Sequence, residues 1–181
     1  MSATGHPLRV VLTGSEGTGK TTLARRLAGH FGAPWAPEFA RSYAESIDRA
    51  LGPEDVEPIA RGQIALEDAL LRARPGLAIL DTDLVSTVVY AQHYYGSVPP
   101  WIVDTARRRL GDLYLLLDTD LAWQPDGVRD RPLARDEMQG RFRDTLQSLE
   151  ARLVEIRGSA EVRFSLARDV IEAAMREGVR R

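Results

Sequence analysis

The segment that most constrains how this chain can fold is Gly-Ser-Glu-Gly-Thr-Gly-Lys-Thr at residues 14–21, which fits the pattern G-x-x-x-x-G-K-[ST]. It follows a short apolar run, Leu8–Thr13, and precedes an amphipathic stretch that begins near Lys20. A strand, a glycine-rich turn and a helix in this order point successive backbone N–H groups into one concave site for an anion. The segment is therefore predicted to be a P-loop that binds the phosphates of a nucleoside triphosphate.

The residue types in this loop suggest separate roles. Lys20 should reach the outer phosphates and neutralise charge that develops during catalysis, and the hydroxyl of Thr21 should bind the magnesium ion that accompanies ATP. A carboxylate inside the loop would repel phosphate, so the side chain of Glu16 should face either the solvent or the acceptor. We expect the ATP site to comprise Gly14, Ser15, Glu16, Gly17, Thr18, Gly19, Lys20, Thr21 and Thr22.

The composition argues against several classes of protein. The chain has 181 residues, enough for one substantial core, so we expect a single domain over residues 1–181. Its formal charge of −2 and its pI near 6.0 give no overall attraction to nucleic acid or to an anionic membrane. It has no cysteine, no apolar N-terminal stretch of the signal-peptide type and no run of membrane-spanning length, so we expect a cytoplasmic protein. These features do not indicate an oligomeric state.

Apolar runs of strand length alternate with amphipathic stretches of helix length along the chain. We predict strands at residues 8–13, 33–37, 77–80, 113–117 and 161–166, and helices from residue 20 and at 54–74, 84–95, 101–110, 141–157 and 167–177. Such alternation is typical of a mostly parallel sheet with helices on both faces, whose ligands bind beyond the carboxyl ends of the strands. The predicted fold class is α/β, a three-layer P-loop NTPase fold with a five-stranded sheet.

Two aspartates follow the third predicted strand. Asp81 stands at its carboxyl end, the position from which an acidic residue holds the magnesium ion of a P-loop enzyme, so Thr21 and Asp81 are the predicted metal ligands. Strand alternation would place Asp83 on the same face, where it could bind the acceptor and act in catalysis. The alternative is that Asp83 only caps the helix that begins at Leu84, because aspartate is a preferred N-cap residue.

The aperiodic segment 118–135 is long and rich in charge, and we expect it to act as a lid. Its Arg129 and Arg131 could bring positive charge to the transferred phosphoryl group, and Arg129 could also contact the substrate. Trp123 could stack on the base of the substrate, with Asp126 beside it, or could only anchor the segment on the core. The alternative is a solvated loop whose charges pair with one another.

Pro-Glu-Phe-Ala-Arg at residues 37–41 follows the second predicted strand. Glu38 would then lie at the carboxyl edge of the sheet, where it could bind the acceptor and take a proton from its hydroxyl group. Arg41 could also bind the acceptor. The alternative is a Glu38–Arg41 ion pair on the surface. The sequence does not decide whether Glu38, Asp81 or Asp83 is the general base.

Four segments taken together, Gly-Ser-Glu-Gly-Thr-Gly-Lys-Thr-Thr, Pro-Glu-Phe-Ala-Arg, Asp-Thr-Asp-Leu and Trp-Gln-Pro-Asp-Gly-Val-Arg, resemble in order and spacing the ribosylnicotinamide kinase domain of NadR-type proteins. The resemblance covers roughly residues 8–175 and implies a nucleoside-kinase-like fold. It also implies that ATP phosphorylates the 5′-hydroxyl of nicotinamide riboside, which gives nicotinamide mononucleotide for NAD salvage. The better-known NadR proteins carry an adenylyltransferase domain before the kinase, whereas this chain begins almost at its first strand. We therefore expect that it does not make NAD itself.

Two other functions fit the same motifs. A regulatory ATPase would use the P-loop without a small-molecule acceptor. A GTPase switch would need a guanine-reading Asn-Lys-x-Asp element, which is impossible in a chain that has no asparagine. A nucleoside monophosphate kinase would need arginines for the phosphate of its acceptor, and Arg41 could be one. The expected partners are ATP, with Mg²⁺ as cofactor, and a nucleoside, with neither nucleic acid nor membrane.

Overall fold

A computed structural model describes residues 6–120 and 135–179 of the chain. Within these ranges the strands are β1 (Leu8–Thr13), β2 (Trp35–Ala36), β3 (Leu77–Asp81), β4 (Leu113–Leu117) and β5 (Leu153–Ile156). The helices are α1 (Lys20–Phe31), α2 (Phe39–Ser46), α3 (Val56–Leu71), α4 (Leu84–Tyr95), α5 (Pro100–Arg108), α6 (Arg135–Ser148) and α7 (Ala160–Val179), and a 3-10 turn, Pro53–Asp55, precedes α3. None of the helices in these ranges is long and apolar enough to cross a bilayer.

The strands form one sheet in the order β2-β3-β1-β4-β5, and every pairing in it is parallel. The register pairs Leu12 with Asp81 on one side of β1 and with Leu115 on the other. Every residue of β3 and β4 is buried, as expected for strands that helices cover on both faces. Because β1 is central, the loop that follows it lies between the carboxyl ends of β3 and β4.

Strand alternation divides the core into two layers, one on each face of the sheet. Val10 and Leu12 of β1 pack with the buried residues of α1 and α7. Val11, which points to the opposite face, packs in a second cluster with residues of α3, α4, α5 and α6. The architecture is therefore helix, sheet, helix, and the predicted three-layer α/β fold with a five-stranded sheet is confirmed.

The fifth strand and the last helix differ from the prediction. Residues 161–166 alternate apolar and polar side chains, which predicted a strand, but they form the first part of α7. The strand is β5, inside the region 141–157 that was predicted to be helical. A strand at 161–166 would bury Val162 and Leu166, yet these side chains are 48% and 42% exposed. The buried residues of α7 recur at helical spacing instead: Arg163, Ala167, Ile171 and Ala174.

Other helix and strand boundaries also differ from the prediction. Helix α6 begins at Arg135, not at residue 141, because Met138 already packs in the core at helical spacing with Phe142. Helix α2 was not predicted, since eight residues with no buried side chain give a weak helical pattern. Strand β2 keeps only two residues of the predicted 33–37, because the flanking prolines cannot donate backbone hydrogen bonds.

Candidate active site

The P-loop turns sharply at positions where only glycine fits without strain. Gly14 has φ 125°, and a Cβ there would lie 2.8 Å from the carbonyl oxygen of Leu117 at the end of β4. Gly19, with φ 83°, is the N-cap residue of α1, so the loop leads directly into the positive end of a helix. The structure thus gives residues 14–21 the strand, turn and helix context that the sequence pattern requires for phosphate binding.

The side chain of Lys20 folds back over this loop. Its Nζ donates hydrogen bonds to the carbonyl oxygens of Gly14, at 3.0 Å, and of Ser15, at 2.7 Å. The hydroxyl of Thr18 donates to the same Ser15 oxygen at 2.9 Å. The ammonium group therefore lies against the loop that is expected to hold the phosphates, within reach of their outer oxygens.

Glu16 is only 6% exposed, so its carboxylate does not face bulk solvent. Of the two orientations that the sequence left open, solvent exposure is wrong. A side chain directed toward the acceptor remains a prediction.

Thr21 and Asp81 come together although they are distant in the sequence. The hydroxyl of Thr21 donates to Oδ2 of Asp81 at 2.5 Å, because α1 begins at the edge of the sheet where β3 ends. Oδ1 of Asp81 is buried and has no hydrogen-bond partner among the described residues, and burial raises the pKa of this carboxyl. A hydroxyl and a carboxylate with an unshared oxygen are the hard oxygen ligands that Mg²⁺ prefers, so these residues fit the predicted metal site.

Asp83 is deeply buried and its two carboxyl oxygens accept different hydrogen bonds. Oδ1 accepts from the backbone N–H of Val85 at 3.0 Å, and Oδ2 accepts from the hydroxyl of Tyr114 at 2.5 Å. Burial raises the pKa of Asp83 to about 6. The residue therefore caps α4, the alternative that the sequence left open, and its contact with an acceptor remains a prediction.

A buried polar network behind Asp83 was not predicted from the sequence. Its centre is Glu67 on α3, whose carboxylate accepts hydrogen bonds from Gln63, at 3.2 Å, and from Arg109, at 3.2 Å. Burial, together with the negative charge of Asp83, raises the pKa of Glu67 to about 7 despite the nearby guanidinium. Amphipathic spacing could not reveal this network, since Gln63 and Glu67 lie on the buried face where apolar residues are expected.

Gln63 connects three elements around the site. Its Oε1 accepts from the backbone N–H of Phe39 at the start of α2, and its Nε2 donates to the carbonyl oxygen of Thr82 at 3.4 Å as well as to Glu67. Thr82 has φ 69°, a left-handed conformation that is uncommon for threonine. The side chain of Gln63 therefore holds the turn after Asp81 against the residues that follow Glu38.

A cavity of about 440 Å³ opens beside this turn, between α2, α3 and α4. Its lining includes Glu38, Thr82 and three tyrosines of α4, which are Tyr90, Tyr94 and Tyr95. The rings of Tyr90 and Tyr94 are nearly parallel, at an interplanar angle of 6°. Aromatic residues four positions apart on one face of the predicted helix 84–95 are the sequence signal for this lining, although no role was predicted for them.

Glu38 and Arg41 both lie near the metal-ligand candidates. Glu38 is the N-cap residue of α2, and Arg41 belongs to the first turn of that helix. β2 ends just before Glu38 and pairs in parallel with β3, so Glu38 follows its strand at the same edge of the sheet as Asp81. After the larger effect of burial, the charge of Glu38 raises the pKa of Asp81 and the charge of Arg41 lowers it. The structure therefore brings the predicted acceptor-side residues Glu38 and Arg41 to the same edge of the sheet as the P-loop.

The remaining predicted residues lie outside the described ranges: Trp123, Asp126, Arg129 and Arg131. Only the ends of the predicted lid 118–135 are described. Next to its first end is Arg163 of α7, which donates to the carbonyl oxygens of Thr18, at 2.7 Å, and Asp118, at 2.8 Å. This buried arginine links the P-loop to the end of β4. Its role was not predicted, because residues 161–166 were expected to form a strand.

Comparisons with known proteins identify a matching family and similar sequences. A model of the AAA domain family matches residues 9–163. The trifunctional NAD biosynthesis/regulator protein NadR of Salmonella typhimurium is 32% identical over 124 residues, which are 66% of this chain and 30% of that protein. NadR of Escherichia coli is 29% identical over 153 residues, which are 81% of this chain and 37% of that protein. The chain thus spans about a third of the length of these relatives.

Solved structures show the same similarity. A NadR protein in complex with NR superimposes with a TM-score of 0.83 at 28% identity, over 93% of this chain and 51% of that one. A complex of NadR with NAD and AMP-PNP gives a TM-score of 0.77 at 26% identity, over 93% and 49% of the two chains. A deoxyadenosine kinase from M. mycoides, at 11% identity and a TM-score of 0.64, covers 91% of this chain and 99% of its own, and it shares the fold alone.

Proposed function

Because this chain belongs to the AAA domain family and has a P-loop kinase fold, we propose that it is an ATP-dependent kinase that phosphorylates the 5′-hydroxyl of nicotinamide riboside. The observation that carries the proposal is that the P-loop and the tyrosine-lined cavity meet at one edge of the sheet. Thr82, which follows Asp81 at the end of β3, lines the cavity, and so does Glu38, which follows the neighbouring parallel strand β2. The candidate phosphate-donor site therefore lies next to a cavity whose tyrosines suit the aromatic ring of a nucleoside.

On the donor side the backbone N–H groups of the P-loop and the ammonium group of Lys20 bind the phosphates. Thr21 and Asp81 would hold Mg²⁺, which supplies positive charge to the phosphate oxygens when it is bound. Lys20 stabilises the negative charge that spreads over the transferred group, and it does so without reorganisation because α1 and the loop fix its position. This arrangement favours a loose, charge-stabilised transfer of the terminal phosphoryl group.

On the acceptor side the cavity binds the nucleoside and Glu38 takes the proton of its 5′-hydroxyl. The oxygen of that hydroxyl forms a bond to the terminal phosphorus while the bond from phosphorus to the bridging oxygen of ADP breaks. Nicotinamide riboside carries a cationic pyridinium ring, and a cation against an aromatic face gains about 0.5–2 kcal/mol. Tyr90, Tyr94 and Tyr95 offer such faces, and Glu38 adds a negative charge. The complex of a NadR protein with NR supports the same choice of acceptor.

A panel of acceptors tests the proposal directly. ADP release by the full chain is measured with ATP and Mg²⁺ plus nicotinamide riboside, uridine, thymidine, a nucleoside monophosphate or no acceptor. We expect release to be fastest with nicotinamide riboside and to fall by about 10²-fold or more in Lys20→Ala, which removes one preorganised charge.

Each other result contradicts the proposal in a recognisable way. Faster phosphorylation of uridine or thymidine would point to a different nucleoside kinase. A preference for the monophosphate would indicate a nucleoside monophosphate kinase. Equal release with and without acceptor would indicate a regulatory ATPase.

A further inference from the structure

The pairing of β2 with β3 ends before it reaches Glu38. The last pair in the register is Ala36 with Leu80. Pro37 follows, and proline has no backbone N–H to donate to the neighbouring strand. Glu38 and Asp81 therefore lie just past the last pair, on separate strands, and a fixed distance between them requires another connection.

Gln63 of α3 supplies that connection. Its Oε1 accepts from the backbone N–H of Phe39 at 3.0 Å, and its Nε2 donates to the carbonyl oxygen of Thr82 at 3.4 Å. The side chain is only 2% exposed, so water does not compete for these bonds. One amide group thus joins the residue after Glu38 to the residue after Asp81.

Further contacts hold the two residues that Gln63 joins. The backbone N–H of Thr82 donates to the carbonyl oxygen of Leu12 on β1 at 3.0 Å, so both backbone polar groups of Thr82 are hydrogen-bonded. Phe39 lies directly against the backbone of α3, because a Cβ on Gly62 would be 2.1 Å from its ring. The bridge therefore connects two points that the surrounding elements already restrain.

Gln63 also does what an N-cap side chain usually does for α2. Glu38 is the N-cap residue of this helix, and its side chain makes no capping hydrogen bond. The first backbone N–H groups of a helix have no partner within it, and that of Phe39 donates to Gln63. The carboxylate of Glu38 is thus not used for capping, which suits a group that has to receive a proton.

We propose that Gln63 is a positioning residue for phosphoryl transfer, which holds the carboxylate of Glu38 in a fixed place relative to Asp81. The inference rests on the proposed function, in which Glu38 takes the proton and Asp81 holds the metal. Glutamine suits this role because its amide group both accepts and donates hydrogen bonds. A misplacement of about 1 Å can cost about 10²-fold in rate, so the loss of the bridge should appear in kcat.

Gln139 of α6 makes the equivalent bridge on the donor side. It is 4% exposed, its Oε1 accepts from the backbone N–H of Ser15 at 3.0 Å, and its Nε2 donates to the carbonyl oxygen of Leu117 at 2.9 Å. This bridge joins the ends of β1 and β4, whereas Glu38 follows β2, which β3 separates from β1. Its loss should therefore affect ATP binding and not the placement of Glu38.

A double-mutant cycle on the full chain tests whether Gln63 acts through Glu38. Gln63→Met keeps the length of the side chain without its amide, and Gln63→Asn keeps the amide but is too short to reach both backbone groups. Each is made alone and together with Glu38→Gln. Gln139→Met is the buried comparison, and Gln92→Met removes an exposed glutamine that donates to the carbonyl oxygen of Gly96. The measurements are kcat with the acceptor that the native chain uses fastest, water included, the affinity for ATP, and thermal unfolding.

Each Gln63 variant should lower kcat by about 10- to 100-fold and leave the affinity for ATP nearly unchanged. In the Glu38→Gln background the same substitutions should lower kcat by less than about threefold, because a misplaced base has no further cost once the base is removed. Gln139→Met should weaken ATP binding equally in both backgrounds, and Gln92→Met should match the native chain.

A native kcat in a folded Gln63 variant would overturn the proposal. Equal losses with and without Glu38→Gln would also overturn it, since Gln63 would then only support the fold. If Gln63→Met does not fold, Gln63→Asn decides between these results, and failure of both variants to fold would make Gln63 structural. The same dependence on Glu38 in Gln139→Met would show that the coupling does not belong to Gln63.

The proposed function fails by different results. A native chain that uses another acceptor, or water, faster than nicotinamide riboside would contradict the substrate, and the cycle measured with that acceptor would still report on Gln63. A full kcat in Glu38→Gln alone would remove the base from the mechanism, and the positioning role of Gln63 with it.

Discussion

The donor and acceptor sides of the candidate site are built in different ways. The P-loop is one continuous segment, and its shape follows from glycines at fixed positions and from the start of α1. The cavity is assembled from α2, α3 and α4, and side-chain hydrogen bonds such as those of Gln63 hold these elements together. The backbone shape of the donor site is thus specified mainly within one segment, to which Gln139 and Arg163 add hydrogen bonds, whereas the acceptor site is built from several distant segments.

The rim of the cavity illustrates this dependence. Asp55 accepts hydrogen bonds from Arg49, from the backbone N–H of Gly52 and from the hydroxyl of Tyr43. The guanidinium of Arg49 is the main reason why the pKa of Asp55 lies well below its usual range. One carboxylate thus fixes the loop between α2 and α3, including Gly52, which lines the cavity.

The largest expected effect that separates the two sides comes from Glu38→Gln. This variant keeps the shape of the side chain but removes the base, so kcat with nicotinamide riboside should fall by about 10²–10⁴-fold. Affinity for ATP should stay near the native value, because the P-loop is unchanged. Steady-state kinetics and nucleotide titration measure the two quantities. An enzyme that keeps its full kcat would remove Glu38 from the mechanism.

A smaller effect is expected from the tyrosines of the cavity. Tyr94→Leu removes an aromatic face, and the loss of a cation–aromatic contact should raise KM for nicotinamide riboside by about tenfold, with KM for ATP unchanged. Tyr94→Phe is the matched control, since it keeps the face and should keep KM. If Leu and Phe variants have equal KM values, the ring of Tyr94 does not contact the substrate.

A third effect concerns stability and its dependence on pH, through Glu67. Its pKa in the folded chain is raised from 4.5 to about 7, chiefly by burial and then by Asp83, against the opposing effects of Arg109 and Gln63. A raised carboxyl pKa contributes stability that is complete below about pH 4.5 and is lost as the pH rises toward 7. The permanently neutral Glu67→Gln should therefore gain stability relative to the native chain as the pH rises.

Chemical denaturation between pH 5 and pH 8 measures this change. The free energy of unfolding of Glu67→Gln, minus that of the native chain, should increase by on the order of 1–3 kcal/mol over that range. Glu57→Gln, on the exposed part of the same helix where Glu57 pairs with Arg61, should show no such trend. A flat difference for Glu67→Gln would mean that Glu67 is ionised in the folded chain throughout.

Much of the donor side could be predicted because its information is local. The pattern at residues 14–21, the strand before it and the helix after it are neighbours in the chain, so spacing alone indicated the loop, and the position of Asp81 at a strand end followed from the run 77–80. Alternating strands and helices likewise predicted the parallel sheet and its three layers, since each element shows its own period.

The tertiary structure alone decided the rest. Residues 161–166 have the period of a strand, but packing against α1 and β5 makes them helical and buries Arg163 beside the P-loop. The cavity brings Glu38 together with tyrosines of α4, and Gln139 sets α6 against Ser15, more than a hundred residues away. Sequence periodicity reports which face of one element is apolar, whereas these contacts depend on which elements meet, and that is fixed only when the sheet buries both of its faces.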